Sequence, residues 1–279
     1  MIESKTRRAG KFVVAALVIF FGVVIFIPFL FMFSSSMRTP AEAYKLPPAI
    51  LPERIMLDNY ITLFQSDIPF LQMFLNSGIV TGSVIIGRLF VGCLAAYATA
   101  KINFKGRNVV FVLFLLSMML PIQATIIPTY IVMSRLHLVN TLWALIIPGL
   151  FDAFSIFLLR QSMATIPNAI IESAKIDGAS HFRICWQIMV PMVKSTLVTL
   201  VVLSFNGVWN DYFAPYIYLS DWDKMTVPLG VVAMKGYMGS GNPSVVLAGV
   251  SIAVLPILIV FLLGQRYIVE GLTSSAVKG

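Results

Sequence analysis

Six stretches of this chain are almost wholly apolar for roughly twenty residues or more, and polar segments of unequal length separate them. They cover residues 12–33, 71–100, 109–133, 141–159, 186–213 and 245–264. An α-helix of about 20 apolar residues crosses the hydrocarbon core of a bilayer. Sheets open to lipid are excluded, because their edge groups find no hydrogen-bond partner there. The pattern predicts an all-α polytopic membrane protein with six transmembrane helices. The membrane domain takes in 12–264, between a short segment 1–11 and a tail 265–279.

Interruptions within the runs refine this picture. The first run has 22 residues and no small-x-small cleavage site after it. A signal peptide core runs to only about 7–15 residues, so this stretch is expected to stay as a span. Gly78 with Gly82, and Ser83 with Gly87, sit four apart in the second span and would allow close helix approach. Pro121 and Pro128 interrupt the third span, and Pro191 lies in the first turns of the fifth. Proline removes a helix hydrogen bond and bends the rod. Segments 34–70, rich in proline, and 214–242 are the two long outer segments.

Composition agrees with a lipid environment. The chain is 58% hydrophobic and 11% charged, against about 25% charged in soluble domains. Its net charge of +8 is unevenly placed. Thirteen of the Lys and Arg residues fall in 1–11, 101–107, 160–194 and 265–279, and six fall in the outer segments. That asymmetry puts both termini in the cytoplasm, and it accounts for the basic charge without nucleic acid as a partner. Cys93 and Cys185 are far apart in the sequence, which argues against a disulfide or a metal site. Arg88 and Asp152 fall inside spans, where charges are costly and face the bundle interior or water. Either they pair with each other as structure, or they serve transport.

One polar island, residues 160–185, separates the fourth and fifth spans. Pro167 suits a first helical turn, residues 168–177 suit a short helix, and Gly178 suits its left-handed stop. Ser180 can cap a second helix leading into the fifth span. Ala169, Ser173, Ala174 and Ala179 are small enough to enter a partner's cleft, and Glu172 offers a charge. An ordinary amphipathic loop helix is the plainer alternative.

The island carries a spaced pattern: Glu172-Ser173-Ala174, then Gly178, then Ile188-x-Val190-Pro191. It resembles the "EAA" loop of ATP-binding-cassette (ABC) importer permeases, with Ser173 and Val190 as mild departures. Asn76-Ser77, Ala95-Ala96-Tyr97-Ala98, Phe104-x-Gly106-Arg107, Trp209-Asn210-Asp211-Tyr212 and the tail 269–279 resemble the carbohydrate-type group, in the subunit similar to the second permease of the maltose system. The resemblance implies a cytoplasmic coupling helix between helices 4 and 5. Its coupling residues would be Glu172, Ser173, Ala174, Asp177, Gly178 and Ala179. It further implies a cytoplasmic ABC ATPase dimer, a second related permease subunit and an extracytoplasmic sugar-binding protein, all at a prokaryotic inner membrane. A carbohydrate would be imported by alternating access, with no cofactor bound directly. ATP and Mg would be used by the partner, since the chain has no Gly-x-x-x-x-Gly-Lys-Ser/Thr loop. Asn206, Trp209, Asn210 and Asp211 would line a substrate path, or else anchor and cap a helix end at the interface. A self-contained secondary transporter or channel is the rival reading, and it would lean on Arg88 and Asp152. An intramembrane enzyme fits poorly: His137 and His181 lie in or beside loops, with no nucleophile or metal constellation around them.

Overall fold

The computed structural model describes the backbone of residues 5–45, 50–236 and 241–276, and the side chains of 10–45, 50–236 and 241–267. The tail pattern at 269–279, and Pro47 and Pro48, lie outside the described side chains. Among the described residues the regular elements are all helical. They are α1 (Lys5–Ser36), α2 (Pro40–Ala43), α3 (Asp58–Gln65), α4 (Phe70–Lys101), α5 (Arg107–Ser117), α6 (Ile122–Arg135), α7 (Trp143–Gly149) and α8 (Ala153–Ala164). There follow α9 (Asn168–Ile176), α10 (His181–Ile184), a π-helical turn at Cys185–Met189, α11 (Val190–Met192), α12 (Lys194–Trp209), α13 (Phe213–Tyr218), α14 (Val227–Ala233) and α15 (Pro243–Ala276).

Among the described residues four stretches are long and apolar enough to cross a membrane: Gly10–Ser36, Phe70–Lys101, Trp143–Ala164 and Pro243–Tyr267. The third and fifth runs of the sequence become bent pairs, α5–α6 at 103° and His181–Met192 with α12 at 82°. The structure therefore has four to six spans, according to how the bent pairs are counted. Pro121 explains the first bend. The chain leaves α5 at Ser117, and Pro121, itself extended at φ −67° and ψ 138°, starts α6 in a new direction. Pro191 contributes to the second. The chain passes through the π-helical turn just before it and resets at Val193, whose φ and ψ are −105° and 24°. The sixth helix does not stop at Gly264 but continues to Ala276.

Two compact units emerge from the contacts. One comprises the described residues of 1–67 and 231–253. Its α1 presents an unbroken apolar surface from Phe12 to Leu30. Below it, Thr39 and Glu42 form a reciprocal capping box on α2, and the Glu42 carboxylate also accepts the Glu53 amide at 2.8 Å. Those backbone donors, Thr39 first, hold the Glu42 carboxyl below its usual range. Asn59 donates to the carbonyls of Ser36 and Arg38, tying α3 to the end of α1.

The second unit comprises the described residues of 68–230 and 254–276. Here α4 is the axle. Cys93, Ala96 and Tyr97 pack with Leu159, Met163, Ile184 and Met189, while Val80 and Val84 pack with Ala144, Leu145 and Tyr218. Close approach depends on glycine at particular points. A Cβ on Gly149 would stand 2.8 and 3.1 Å from the two Val84 methyls, and one on Gly87 would collide with Leu150. The Gly78 and Gly82 positions have open space instead, so of the small-residue pairs only the one ending at Gly87 brings helices together.

A polar clip joins the turn before α7 to the segment after α13. Asn140, at φ 63°, donates to Asp221 at 2.7 Å and accepts from the Ser220 and Asp221 amides. Lys224 also binds the Asp221 carboxylate, at 2.7 Å. Lys224 first and Asn140 second hold this carboxyl below its ordinary range.

Two predictions follow from this packing. Gly149→Ala should lower the apparent melting temperature of the purified protein, an overpacking cost of about 1–3 kcal/mol. Adding Val84→Ala should recover much of it; equal melting of the single variant and wild type would refute the close packing. The clip is intact above the ordinary aspartate pKa of about 4 and is lost as pH falls through the lower folded value. Amide exchange at Ser220 and Asp221 should therefore accelerate in acid, and Asp221→Asn should remove that dependence.

Candidate functional site: an exposed helix and a polar cavity

Helix α9 begins after Pro167 and ends in a full Schellman motif. The Gly178 amide donates to the Lys175 carbonyl and the Ala179 amide donates to the Ala174 carbonyl, at 3.0 and 2.9 Å. Gly178 itself is left-handed, at φ 77°, a conformation costly for any residue with a Cβ. Ser180 then accepts the Arg183 amide and starts α10.

The helix has two faces. Ile171 and Ala174 are buried against the body, and Ala179 packs beside them. Ala169, Glu172, Ser173, Ile176 and Asp177 face outward, with Ile176 87% exposed. The small-residue group read from the sequence is thus divided. Ala174 and Ala179 seat the helix, while Ala169 and Ser173 are presented. Ile176, a large apolar side chain at the exposed end, was missed by the sequence reading.

The attachment of α9 was also not foreseen. Lys101, in the last turn of α4, donates to the Ile166 carbonyl at 2.5 Å and to the Asn168 side chain at 2.9 Å. Tyr97 hydroxyl and His181 Nδ1 are 2.9 Å apart. Arg160 donates to the Thr99 carbonyl and lies 3.7 Å from the Phe111 ring centroid. These contacts bind both ends of the α9 loop to α4. A lysine in a last helical turn is a common signal, but its partner lies 65 residues away in the sequence.

Within the spans, Arg88 and Asp152 do not form an ion pair. Arg88 donates to the Gly149 carbonyl at 3.1 Å and to Ser204 Oγ at 3.3 Å. Asp152 caps α8, accepting the Ser155 amide at 2.9 Å and the Ser155 hydroxyl. The pairing expected from charge alone is replaced by two separate repairs of helix ends. Asp152 lies where α7 has ended and α8 begins, so this span is broken rather than continuous.

Both residues nevertheless line one cavity of about 560 Å³, together with Thr81, Asp211 and Thr226. Of the four residues assigned to a substrate path, only Asp211 reaches it. Asp211 also accepts the Phe213 and Ala214 amides. Trp209 is buried, stacked on Phe205 and edge-on to Phe74. Asn206 and Asn210 are exposed and bonded to each other at 3.0 Å.

The site thus has two parts, an exposed helix tied to α4 and a polar cavity among the spans. Residues 88–273 match the family described as binding-protein-dependent transport system inner membrane component, and the chain belongs to that family. It is a permease subunit of a binding-protein-dependent ABC importer, a transport component and not an enzyme. The arabinooligosaccharides transport system permease protein AraQ of Halalkalibacterium halodurans is 30% identical over 278 residues, covering 98% of this chain and 99% of that one. The sn-glycerol-3-phosphate transport system permease protein UgpE of Yersinia pestis is 30% identical over 282 residues, covering 99% of each. The crystal structure of a bacterial ABC transporter involved in import of the acidic polysaccharide alginate contains a chain matched at a TM-score of 0.82 and 25% identity, covering 96% of this chain and 99% of that one.

Replacing Lys101 by Met should loosen the α9 loop by about 1 kcal/mol. Hydrogen exchange followed by mass spectrometry should show faster exchange across residues 166–178, with α4 above Tyr97 unchanged. Unaltered exchange would mean that Lys101 does not hold the helix.

Proposed function

We propose that the chain is one of two related permease subunits of an ATP-driven importer that carries a carbohydrate across the prokaryotic inner membrane. In this reading each bent pair counts as one span, giving six, with both termini in the cytoplasm. Helix α9 is the coupling helix between spans 4 and 5, and it docks into an ABC ATPase dimer. The observation that carries the proposal is the outward face of a short helix whose inward face and ends are tied to α4. Glu172 would meet a basic group of the ATPase, and Ile176 and Ser173 would enter its cleft. The carbohydrate class is supported by the relatives, whose names refer to an arabinooligosaccharide, glycerol phosphate and alginate.

A partner can drive a conformational change only by binding one state better than the other. A stiff attachment suits that requirement: movement of α9 is passed to α4 through Lys101 and Tyr97, not absorbed in a loop. ATP and Mg belong to the ATPase. An extracytoplasmic binding protein delivers the substrate, and Asn206, Asn210 and Asp211, near the outer end of span five, lie toward the side on which it arrives.

Gly178→Val tests the coupling role. A β-branched residue is strongly disfavoured at φ 77°, so the end of α9 should unwind while the membrane helices stay folded. Wild-type protein purified in mild detergent should bring with it an ATPase and a second permease. The variant should keep the permease and lose most of the ATPase and at least tenfold of transport. A variant that transports at the wild-type rate would remove α9 from the coupling role.

A further inference from the structure

The turn between α4 and α5 is basic, and its charge goes unanswered. Residues 101–110 hold Lys101, Lys105 and Arg107 and no acid. Residues 103–109 fold around an open groove of about 580 Å³. Lys105 is exposed on its wall and Arg107 is half-buried there. Arg107 is steadied by Asn103, whose side-chain oxygen accepts from Nη1 at 3.0 Å. The charged group that acts on Arg160 is Arg107, and it repels. Arg160 cannot swing away freely, because the Thr99 carbonyl and the Phe111 ring hold it. Among the described residues, none of Lys105, Arg107 and Arg160 forms an ion pair. Two guanidiniums kept within reach of each other are unfavourable until an anion joins them.

An apolar feature starts at the same turn. Val109 lines the groove and opens a stripe along α5 with Val112, Leu113 and Leu116. These four are between 48 and 63% exposed, and their spacing of three and four residues puts them on one face. Phe104, on the groove wall, is also exposed. Helix α5 is the first half of a bent pair apolar enough to cross a membrane. From Val109 the stripe therefore runs about 10 Å into hydrocarbon, and the basic turn stands at its head, at the height of lipid phosphates.

We infer that the groove binds the headgroup of an anionic phospholipid, whose acyl chains lie along the α5 stripe. The fork of Arg107 and the ammonium of Lys105 take the phosphate oxygens. Arg160 adds positive potential beside them. A soluble anion would meet the charges and leave the apolar stripe unused. A zwitterionic lipid would bring its own cation to a groove that repels it. An anionic lipid alone satisfies both features. The inference asks only that α5 face lipid; it depends neither on the transported compound nor on the role of α9.

The test uses the intact transporter complex in nanodiscs of phosphatidylcholine. A phosphatidylglycerol with a photoactivatable acyl chain is added in rising proportion, and crosslinked peptides are identified by mass spectrometry. Wild-type labelling of residues 103–116 should saturate at a low share of this lipid, whereas the matching phosphatidylcholine probe should label without saturating. A cation beside a membrane surface contributes about 1 kcal/mol to binding of anionic lipid. Lys105→Gln and Arg107→Gln should therefore each raise the half-saturating share about fivefold, and the double variant should raise it further. Lys105 is exposed, so its replacement leaves the fold intact. Arg183→Gln removes a cation outside the groove and should label as wild type does. Unchanged saturation in the double variant would overturn the site. An equal shift in Arg183→Gln would reduce the effect to net charge and overturn it too. Inorganic phosphate that blocks labelling, where sodium chloride of the same ionic strength does not, would make the ligand a soluble anion and overturn the lipid assignment. Labelling of the isolated permease but not of the complex would mean that a partner chain covers the groove, with the same consequence.

Discussion

A polar group carried into hydrocarbon has to find its partner within the chain, since no water is there to serve it. Much of the second unit is arranged around that demand. At the break between α7 and α8, side chains meet the backbone groups released. Arg88 takes the Gly149 carbonyl at the end of α7, and Asp152 takes the Ser155 amide at the start of α8. Asn76 donates to the Asp223 and Met225 carbonyls, and Ser77 accepts the Val227 amide. Three of these four side chains come from α4, the long helix without proline. The α7–α8 limb and the segment before α14 are steadied because an unbroken helix stands beside them with polar groups at the right heights.

The same helix links the cavity to the α9 loop. Its first half carries Asn76 and Ser77 to the segment 223–227 and Arg88 to the cavity. Its last turns carry Tyr97, Thr99 and Lys101 to the α9 loop. A helix is stiff along its axis, so a displacement at Lys101 is felt at Arg88. The close contacts at Gly87 and Gly149 leave little slack between α4 and the α7–α8 limb. The coupling proposed for α9 would need no pathway beyond one rod and the tight seams along it.

Legibility in the sequence followed the range of the interaction. Gly178 as a left-handed stop and Ser180 as a cap were readable, because each acts on backbone within a few residues of itself. Pro121 announced a break in the same way. Its 103° angle was not readable, because the angle depends on what α5 and α6 pack against. Asp152 was misread as a partner for Arg88. Opposite charges suggest each other in a sequence, whereas a backbone carbonyl such as that of Gly149 has no letter of its own. Ala174 looked like part of a presented surface, yet the rotation of α9 about its axis turns it inward.

What the sequence determined by itself was the solvent and the local grammar: apolar runs long enough for a bilayer, a charge bias across it, helix stops and caps, and a spaced pattern marking the family. These depend on composition and on neighbours within a turn or two of helix. Tertiary structure decided which runs would bend, which face of α9 would look outward, and which charges would repair helix ends. It alone brought Arg88 and Asp211, 123 residues apart in number, to one cavity wall. Those outcomes turn on where distant helices come to lie, and packing settles that only when the chain is assembled.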